Sequence, residues 1–443
     1  MESRRDFLGR AGAIGTIGAA AAVAPFLTLP AGAEETVGVA LFGDYGVDSP
    51  GQDAVARMVD RWQPDAVFTL GDNVYSADDV DPYEVLPRKA LRFYQRFVDA
   101  GTFFPALGNH DWGDPGTPLL SSDGNGGTRG AWHDLMTLPG NGRYYDVRIG
   151  PLHVFVLDDY YLEPDGNKAG SKQAEWLRTT AAASNAVWKI VTHHYPPYAS
   201  PLGGKASIRW PFEQWGIDAS FAGHWHHYER IEKDILYFVN GLGGAPFGFS
   251  GNPIPGSKKR VADKNGAIRL TASASRMTIE FVDTSGRVRD TVSRFVGSTP
   301  APSAPAQPAQ PEPPMPEPAP TGSLVDEPYR SMTGRDATLV RLYLAAFDRA
   351  PDSSGFSYWR SLRIHLIDIA SYFAASAEFR NRYGTLTNGA FVERVYLNVL
   401  GRGPDAKGAR YWTGLLEDGI DRADVLIGFS ESLEFKRRTG ILG

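Results

Sequence analysis

Five short polar clusters carry the side chains of this chain that are most able to do chemistry. They are Gly43-Asp44-Tyr45-Gly46, Gly71-Asp72-Asn73-Val74-Tyr75, Gly108-Asn109-His110-Asp111, Val191-Thr192-His193-His194 and Gly223-His224-Trp225-His226. Carboxylate, amide, imidazole and phenol groups without sulfur suit iron, manganese or zinc. The chain has no cysteine, so thiolate metal sites, disulfides and cysteine nucleophiles are excluded.

The number of possible ligands in these clusters is too high for a single ion. With Asp72 as a bridge, Asp44, Tyr75 and one imidazole can complete a first site. Asn109 and two imidazoles can complete a second site. Two ions about 3.5–4 Å apart hold both the attacking and the leaving oxygen of a displacement at phosphorus, and they acidify a bound water. The clusters therefore predict a two-metal hydrolase of phosphate esters.

Each cluster taken alone also has a purely structural interpretation. A Gly-Asp pair after a strand, as at Asp44, is typical of a turn. His224 and His226 alternate along a predicted strand end, so they would point to the same side and could be buried neutral histidines. Five such clusters in order, each after a predicted strand, favour the metal site instead.

The clusters follow directly on short strands that are predicted to be buried. Such strands are predicted at residues 37–42, 66–70, 103–107, 152–157, 187–192 and 219–222, with helices at 52–62, 86–98 and 171–182 between them. This alternation predicts an α/β fold, in which binding residues gather at the carboxyl ends of the strands. Strands at 235–240 and within 267–283 follow without helices, which fits a mixed sheet or two stacked sheets.

Length, charge and proline content divide the chain and exclude some partners. A chain of 443 residues predicts two to three domains at about 150 residues each. Its formal net charge of −6 argues against a nucleic-acid partner, which normally shows as a basic surface. Ten of the 21 residues from 300 to 320 are proline, so residues 300–322 are predicted to be an extended linker between domains at 34–299 and 323–443.

Residues 323–443 contain an internal repeat with helical spacing. Tyr358-Trp359 recurs as Tyr411-Trp412 at an offset of 53 residues, and Phe373 recurs as Phe429 at an offset of 56. An insertion of three residues in one loop explains the change of offset, because duplicated units tolerate such insertions. We therefore expect a small all-α domain that consists of two repeats.

The first 33 residues resemble a twin-arginine export signal. Arg4-Arg5 precede Phe7-Leu8 and a weakly apolar run, which ends at Ala31-Gly32-Ala33. This pattern predicts removal of residues 1–33 and export to the periplasm or the cell exterior, so that no stable transmembrane anchor remains. The alternative is an uncleaved membrane anchor, since the apolar run is nearly long enough to span a bilayer.

The five clusters resemble the motifs of the calcineurin-like metallophosphoesterases and, more narrowly, the purple acid phosphatases. In that family the blocks read D-x-G, G-D-x-x-Y, G-N-H-[DE], V-x-x-H and G-H-x-H, and the match covers about residues 36–296. The resemblance implies a four-layer α/β (α+β) sandwich of two mixed β-sheets flanked by helices. It also implies an acid phosphatase in which a metal-bound hydroxide attacks phosphate monoesters of small molecules, and the export signal makes this an exported enzyme.

The resemblance further implies a role for each matching residue. Asp44, Asp72, Tyr75 and His226 would hold the first metal, and Asp72, Asn109, His194 and His224 would hold the second. His194 rather than His193 takes the ligand position, because it is the third residue after Val191. His110 would act beside the leaving group as a proton donor or transition-state stabiliser, and Asp111 would orient His110.

Tyr75 distinguishes purple acid phosphatases from the wider superfamily, whose members generally have no tyrosine at this place. A bound ferric ion would keep the phenol as phenolate. The implied cofactors are therefore one ferric ion and one divalent ion, either Fe, Zn or Mn. The alternative for Tyr75 is an aromatic residue that packs under the site. The metals would then be Mn or Zn, and the enzyme would be a phosphodiesterase or a nucleotidase.

The sequence departs from the family pattern at Gly203, where small mammalian-like members have a substrate-handling histidine. Lys205 or Arg209 could contact phosphate instead, although a solvated loop cation is the favoured interpretation for both. Four aromatic residues could line a cleft for an aromatic leaving group or could simply pack in the core. These residues are Trp112, Trp132, Tyr160 and Tyr161.

The C-terminal repeat resembles a bacterial domain of unknown function that recurs in secreted and surface proteins. Asp352 and Asp405 could bind calcium, but turn-forming Pro-Asp pairs between helices are the favoured interpretation. The resemblance suggests attachment to a cell surface, a polysaccharide or a protein partner. A non-catalytic surface-binding protein is the alternative from another functional class, and it would be expected to show damaged metal ligands.

Overall fold

The computed structural model describes residues 26–27, 36–75, 82–112, 120–122, 128–136, 138–200, 204–246, 253–297, 329–362, 366–384, 386–418 and 421–441. Its strands are β1 Phe26–Leu27, β2 Val37–Phe42, β3 Ala66–Leu70, β4 Phe103–Ala106, β5 Leu120–Ser122, β6 Thr128–Gly130, β7 Tyr145–Ile149, β8 Leu152–Val156, β9 Trp188–Thr192, β10 Ala219–Ala222, β11 Tyr228–Glu232, β12 Leu236–Asn240, β13 Ser257–Val261, β14 Gly266–Ala272, β15 Arg276–Asp283 and β16 Val288–Phe295. Its α-helices are α1 Pro50–Trp62, α2 Pro82–Lys89, α3 Gln95–Asp99, α4 Asn109–Trp112, α5 Ala131–Leu135, α6 Lys172–Ala183, α7 Gly334–Phe347, α8 Ser353–Leu362, α9 Leu366–Ala375, α10 Ala377–Tyr383, α11 Asn388–Val395, α12 Ala406–Asp418, α13 Arg422–Ser430 and α14 Leu433–Thr439.

Two mixed sheets face each other in the first part of the chain. One sheet has the strand order β1-β7-β8-β9-β10-β12-β11-β13, and the other has the order β16-β15-β14-β2-β3-β4. Apolar side chains from both sheets form one core between them. Helices α1, α2 and α3 pack on the outer face of the second sheet, and α6 packs on the outer face of the first. The predicted four-layer sandwich is therefore confirmed.

The parallel strands bring the polar clusters to one edge of this sandwich. Strands β2, β3 and β4 are parallel neighbours in one sheet, and β8, β9 and β10 are parallel neighbours in the other. Each of the five clusters begins at or just after the carboxyl end of one of these strands. The two edges meet where the Gly43 amide donates to the Asn240 carbonyl at 3.0 Å.

The prediction of one continuous helix over residues 86–98 is wrong. The structure has α2, then a 3-10 turn at Leu91–Phe93, and then α3. Tyr94 between the turn and α3 has φ = −126°, which is not helical. Its buried ring stacks on Phe42 at 4.9 Å and on Phe103 at 5.5 Å, so core packing prevails over helical propensity here.

The strand predicted at 219–222 matches β10, but the alternative in which His224 and His226 alternate along a strand end is wrong. Strand β10 ends at Ala222 and β11 begins at Tyr228, so both histidines lie in the connecting loop. His224 has φ = 67°, a left-handed conformation outside the β region of regular strand residues. A loop can aim the two imidazoles independently, which alternation along a strand cannot.

The C-terminal helices form a separate core with a visible duplication. Helices α7 to α10 correspond to α11 to α14, and their apolar residues form one cluster. Arg349 makes a bidentate ion pair with Glu378, and Arg402 repeats it with Glu434. The predicted small helical domain that accompanies the sandwich is therefore confirmed.

Parts of the domain prediction lie outside the described residues. The proposed signal at 1–33 is described only at β1, whose residues pair with β7 at Arg148 and Ile149. The linker at 300–322 lies wholly outside, so both assignments remain predictions. Within the described ranges, none of the helices combines the length and the apolar character that crossing a bilayer would require.

Candidate metal centre

Three of the predicted ligands sit in left-handed backbone conformations at the strand ends. The φ angles are 58° at Asp44, 50° at Asp72 and 67° at His224. Neighbouring glycines allow the loops to approach closely, because a Cβ atom at Gly223 would lie 2.5 Å from Oδ2 of Asp44. Tight turns therefore direct these side chains to one point above the sheet edge.

Four predicted ligands form a first group around the hydroxyl of Tyr75. This hydroxyl lies 3.1 Å from Oδ1 of Asp44 and 3.2 Å from Oδ2 of Asp72. It also lies 3.2 Å from Nε2 of His226, which is in turn 3.3 Å from Oδ1 of Asp44. All four side chains are buried, so their polar atoms lie close together away from bulk water.

A second group lies on the other oxygen of Asp72. Oδ1 of Asp72 is 3.3 Å from Nε2 of His194, and this nitrogen is 2.9 Å from Oδ1 of Asn109. The ring of His224 lies 5.1 Å from the ring of His194. Asp72 thus contacts both groups through different carboxylate oxygens, as a bridging ligand would.

Backbone carbonyls fix the orientation of two of the imidazoles. Nδ1 of His194 lies 2.9 Å from the Leu70 carbonyl, and Nδ1 of His226 lies 2.9 Å from the Pro246 carbonyl. A carbonyl can only accept, so Nδ1 carries the proton in each ring. Nε2 then points at the carboxylates, which is the usual arrangement of a metal-binding histidine.

The charges of the centre perturb its titration strongly. Burial alone would raise the pKa of Asp72, but His194 and His110 hold it well below its ordinary value. Burial alone would lower the pKa of His194, but the Asp72 carboxylate raises it to about 10. The protein thus holds a proton at the place where a cation would bind. Together with the Nε2, phenol and carboxylate donors, this fits a metal site.

Ligand atoms of Asp44, Asp72 and His194 all lie within 4.8 Å of one another, which satisfies the geometry of a metal site. Tyr75 and Asn109 add further oxygens to the two groups. The donor set is hard and free of sulfur, as iron, manganese and zinc accept. The sandwich therefore carries a candidate dinuclear metal centre at its strand-end edge.

His110 lies beside this centre. Its Nε2 is 3.8 Å from Oδ2 of Asp72, and its ring lies 4.4 Å from that of Tyr75. The backbone amide of His110 donates to Oδ1 of Asp72 at 3.0 Å. The side chain can therefore reach a group bound between the two ligand sets.

Among the described residues, no hydrogen bond joins the Asp111 carboxylate to the imidazole of His110. It accepts instead from the backbone amide of Asn73 at 3.1 Å, from Nδ2 of Asn73 at 2.7 Å and from the Gly108 amide at 2.8 Å. Burial and the nearby Asp72 charge raise the pKa of Asp111 to about 7. Its position is that of a residue that ties two ligand loops together, which differs from the predicted orienting role.

A sixth polar cluster was missed from the sequence. Asp158 and Asp159 follow β8 almost directly, which is the same signal that identified the other five clusters. Oδ2 of Asp159 lies 3.0 Å from Nδ1 of His193 and accepts from the Tyr195 amide at 2.8 Å. Asp159 thus anchors the loop that carries His194.

The two candidate phosphate-binding cations differ in their surroundings. Arg209 is exposed and donates to the Pro197 carbonyl, as expected for a loop cation. The same interpretation is wrong for Lys205, which is only 6% exposed. Its ammonium group lies 3.4 Å from the centre of the Tyr195 ring and 3.3 Å from the Asp159 carbonyl.

Three of the four candidate cleft aromatics belong to the core. Trp112, Trp132 and Tyr160 are buried in the apolar cluster on the outer face of the six-stranded sheet. Tyr161 is half-buried and contacts both this cluster and the core of the helical domain. Ordinary packing is therefore confirmed for the first three, whereas Tyr161 joins the two domains.

The chain is similar to known proteins in two of its parts. Residues 39–228 match the family model described as calcineurin-like phosphoesterase, and residues 370–439 match a domain of unknown function, DUF4214. Acid phosphatase type 7 of Danio rerio is 25% identical over 253 residues, which is 47% of this chain and 52% of that protein. Probable purple acid phosphatase 20 of Arabidopsis thaliana is 24% identical over 252 residues, which is 53% of this chain and 56% of that protein.

Among solved structures, the purple acid phosphatase PPD1 from yellow lupin seeds is similar at 19% identity and a TM-score of 0.47. The match covers 63% of this chain and 58% of the lupin chain. The chain spans about half the length of the curated relatives it matches.

Proposed function

We propose that this chain, whose residues 39–228 form a calcineurin-like phosphoesterase domain, is an exported two-metal phosphatase that hydrolyses phosphate monoesters of small molecules. The observation that carries the proposal is the division of Asp72 between two donor groups. One of its oxygens is 3.2 Å from the Tyr75 hydroxyl, and the other is 3.3 Å from Nε2 of His194. A site for a single ion would not need two separate sets of donor side chains, one at each oxygen of the Asp72 carboxylate.

The first group would hold one ion and the second group the other. In that assignment Asp44, Asp72, Tyr75 and His226 bind the first ion, and Asp72, Asn109, His194 and His224 bind the second. When bound, a pair of metal ions lowers the pKa of water and neutralises the charge that develops on a phosphoryl group. All of these ligands except His224 are buried, which limits the access of competing water to these interactions.

His110 supplies the remaining chemistry. Its imidazole is held against the Tyr75 ring, at the rim of the first ligand group. The alcohol of a phosphate ester departs with a negative charge on its oxygen, and a proton from Nε2 of His110 neutralises that charge. Hydrolysis then gives the free alcohol and inorganic phosphate.

We assign a ferric ion to the first group because it contains Tyr75. The phenolic oxygen is within 3.2 Å of a ligand atom of each of the other three members, so a tyrosine that served only for packing would place its polar atom elsewhere. A ferric ion stabilises a phenolate. The second ion is divalent iron, zinc or manganese, since the second group has only nitrogen and neutral amide oxygen besides the shared Asp72.

Metal analysis together with a visible spectrum of the purified full chain tests these assignments. We expect about two metal ions per chain, at least one of them iron, and an absorption band that reductant bleaches or shifts. The same preparation should hydrolyse phosphate monoesters faster than diesters. A colourless, iron-free and active protein would overturn the ferric assignment, and a preference for diesters would overturn the monoesterase assignment.

A further inference from the structure

Asp159 holds the loop of His194 from both sides. Its Oδ2 atom lies 3.0 Å from Nδ1 of His193 and accepts from the backbone amide of Tyr195 at 2.8 Å. These two residues directly precede and follow His194. The Asp159 side chain is fully buried, and it starts from the loop after β8, which is the parallel neighbour of β9. One carboxylate oxygen therefore fixes the chain on either side of a predicted metal ligand.

His193 connects this carboxylate to a third strand. Its Nε2 lies 2.8 Å from Oγ of Ser220 on β10, and its backbone amide donates to the Phe221 carbonyl at 3.0 Å. A carboxylate accepts hydrogen bonds, so Nδ1 of His193 carries the proton and Nε2 accepts from the Ser220 hydroxyl. Both ring nitrogens are thus engaged within the protein. His193 therefore supports the loop and leaves the ligand position to His194.

Tyr195 extends this support to the other imidazole of the second ligand group. Its ring lies 5.1 Å from the ring of His194 and 4.3 Å from the ring of His224. The Lys205 ammonium lies 3.4 Å from the centre of the Tyr195 ring and 3.3 Å from the Asp159 carbonyl. The contacts of Asp159 therefore lead to both imidazoles that are assigned to the second ion.

The first ligand group is held from other parts of the sandwich. Nδ1 of His226 lies 2.9 Å from the Pro246 carbonyl. The backbone amide of Tyr75 donates to the Gly46 carbonyl at 2.9 Å, and the carbonyl of Tyr75 accepts from Lys89. These anchors lie on α2 and on the loops after β2 and β12. A change at Asp159 should therefore disturb the second group more than the first.

We propose that Asp159 is a positioning residue for the second metal ion: it sets the affinity of His194 and His224 for that ion without binding the ion itself. The inference rests on the proposed two-metal function. Outer residues that orient metal-binding histidines change the metal affinity by about 10–100-fold when they are replaced. Because Asp159 supports one ligand group, the loss should fall on one of the two ions.

The test uses Asp159→Ala and Asp159→Asn in the full chain. Oδ1 of Asp159 accepts no hydrogen bond from any described residue, so both bonds to the loop use the other oxygen. The amide oxygen of asparagine can take the place of that oxygen, whereas alanine offers no acceptor. Glu175→Ala is the control, because it removes an exposed carboxylate from α6 in the same domain.

Two measurements distinguish the ions. After a chelator has removed the divalent ion, metal analysis counts the ion that stays bound, and titration with Zn²⁺ gives the dissociation constant of the emptied site. For Asp159→Ala we expect this constant to rise about 10–100-fold, with the remaining ion bound as in the wild type. Saturating Zn²⁺ should restore phosphatase activity, since all ligands are still present. Asp159→Asn should lie closer to the wild type than to Asp159→Ala, and Glu175→Ala should equal the wild type.

Two variants of His193 decide if Asp159→Ala does not fold. The side-chain amide of asparagine can overlay Nδ1 of the imidazole and donate to Asp159, whereas that of glutamine overlays Nε2 and cannot. We therefore expect the dissociation constant for Zn²⁺ to rise in His193→Gln and to rise less in His193→Asn. Equal constants in these two variants and the wild type would overturn the proposal.

The outcomes separate the positioning role from the proposed function. A wild-type chain that binds fewer than two ions would contradict the two-metal function itself. If the wild type binds two ions and Asp159→Ala keeps its affinity for Zn²⁺, the function stands and the positioning role is overturned. Loss of both ions from a folded Asp159→Ala protein would also overturn it, because Asp159 would then support the whole centre.

Discussion

The carboxylate of Asp111 accepts hydrogen bonds from the backbone amide and from the side-chain amide of Asn73, at 3.1 Å and 2.7 Å. The two residues belong to different clusters and are 38 positions apart in the chain. Their contact fixes the distance between the loop of Asp72 and the loop of Asn109. The geometry of the centre therefore depends on a residue pair that need not touch a metal.

This contact predicts a large loss of stability in Asp111→Ala. The substitution leaves the buried amides of Asn73 and Gly108 without an acceptor, which costs about 1–3 kcal/mol for each unsatisfied group. The free energy of unfolding from urea titration measures the loss. Asp60→Ala is the control, since Asp60 is exposed and its removal should change stability by less than about 0.5 kcal/mol. Equal effects of the two substitutions would contradict the role of Asp111.

Metal affinity should increase with pH. The Asp72 carboxylate raises the pKa of His194 to about 10, so an incoming ion must displace a proton from this imidazole at neutral pH. Below that pKa the apparent affinity should rise about tenfold per pH unit, with release of a proton. Competition titrations with a chelator at several pH values measure this dependence. An affinity that does not change with pH would show that His194 is not a ligand.

Tyr75→Phe should remove the visible absorption band while the protein still folds. The change deletes the phenolic oxygen that contacts Asp44, Asp72 and His226. Tyr45→Phe is a closely matched control, because Tyr45 is buried in the core and its hydroxyl has no hydrogen-bond partner among the described residues. We expect the spectrum of this control to equal that of the wild type. A band that survives in Tyr75→Phe would assign the colour to another ligand.

Gly355→Ala should destabilise the helical domain. A Cβ atom at this position would lie 2.6 Å from the hydroxyl of Tyr343, and such overpacking costs about 1–3 kcal/mol. Gly414→Ala makes the same chemical change inside α12, where a Cβ atom has nothing within 4 Å. It should instead stabilise the domain by about 0.5–1 kcal/mol. Thermal unfolding of the full chain would show the two shifts in opposite directions.

Export through the twin-arginine route predicts that Arg4→Lys/Arg5→Lys retains the precursor inside the cell. The exported wild type should begin at Glu34, which N-terminal sequencing would show. Arg10→Lys is the control with an unpaired arginine from the same segment, and it should be exported normally. A secreted protein that still contains Phe26 would contradict cleavage, and β1 could then persist beside β7.

The fold class and the position of the candidate centre could be predicted because they depend on local patterns. Asp44, Asp72 and Asn109 each follow a buried strand, and parallel strands place their carboxyl ends at one edge. The two halves of the helical domain share the same local sequence patterns, so their duplication could also be predicted. For these features, a short stretch of sequence contains the necessary information.

Other features depend on contacts between distant parts of the chain, and the sequence patterns did not reveal them. Lys205 lies in a segment whose composition is typical of a solvated loop, yet the loop of Asp159 and the ring of Tyr195 bury its side chain. Tyr94 interrupts a helical pattern because its ring stacks on a strand. The packing of Tyr161 against the helical core joins two domains, so no local pattern could indicate it.

The positive φ angles at Asp44, Asp72 and His224 restrict how these three positions can evolve. Glycine would relieve the backbone, where a left-handed residue with a side chain costs about 1 kcal/mol or more, but glycine offers no ligand. A larger aliphatic residue would lose the ligand and increase the conformational cost. Once the side chain no longer serves the centre, selection on folding alone should convert these positions to glycine or asparagine. Relatives that have lost the centre should therefore carry those two residues here.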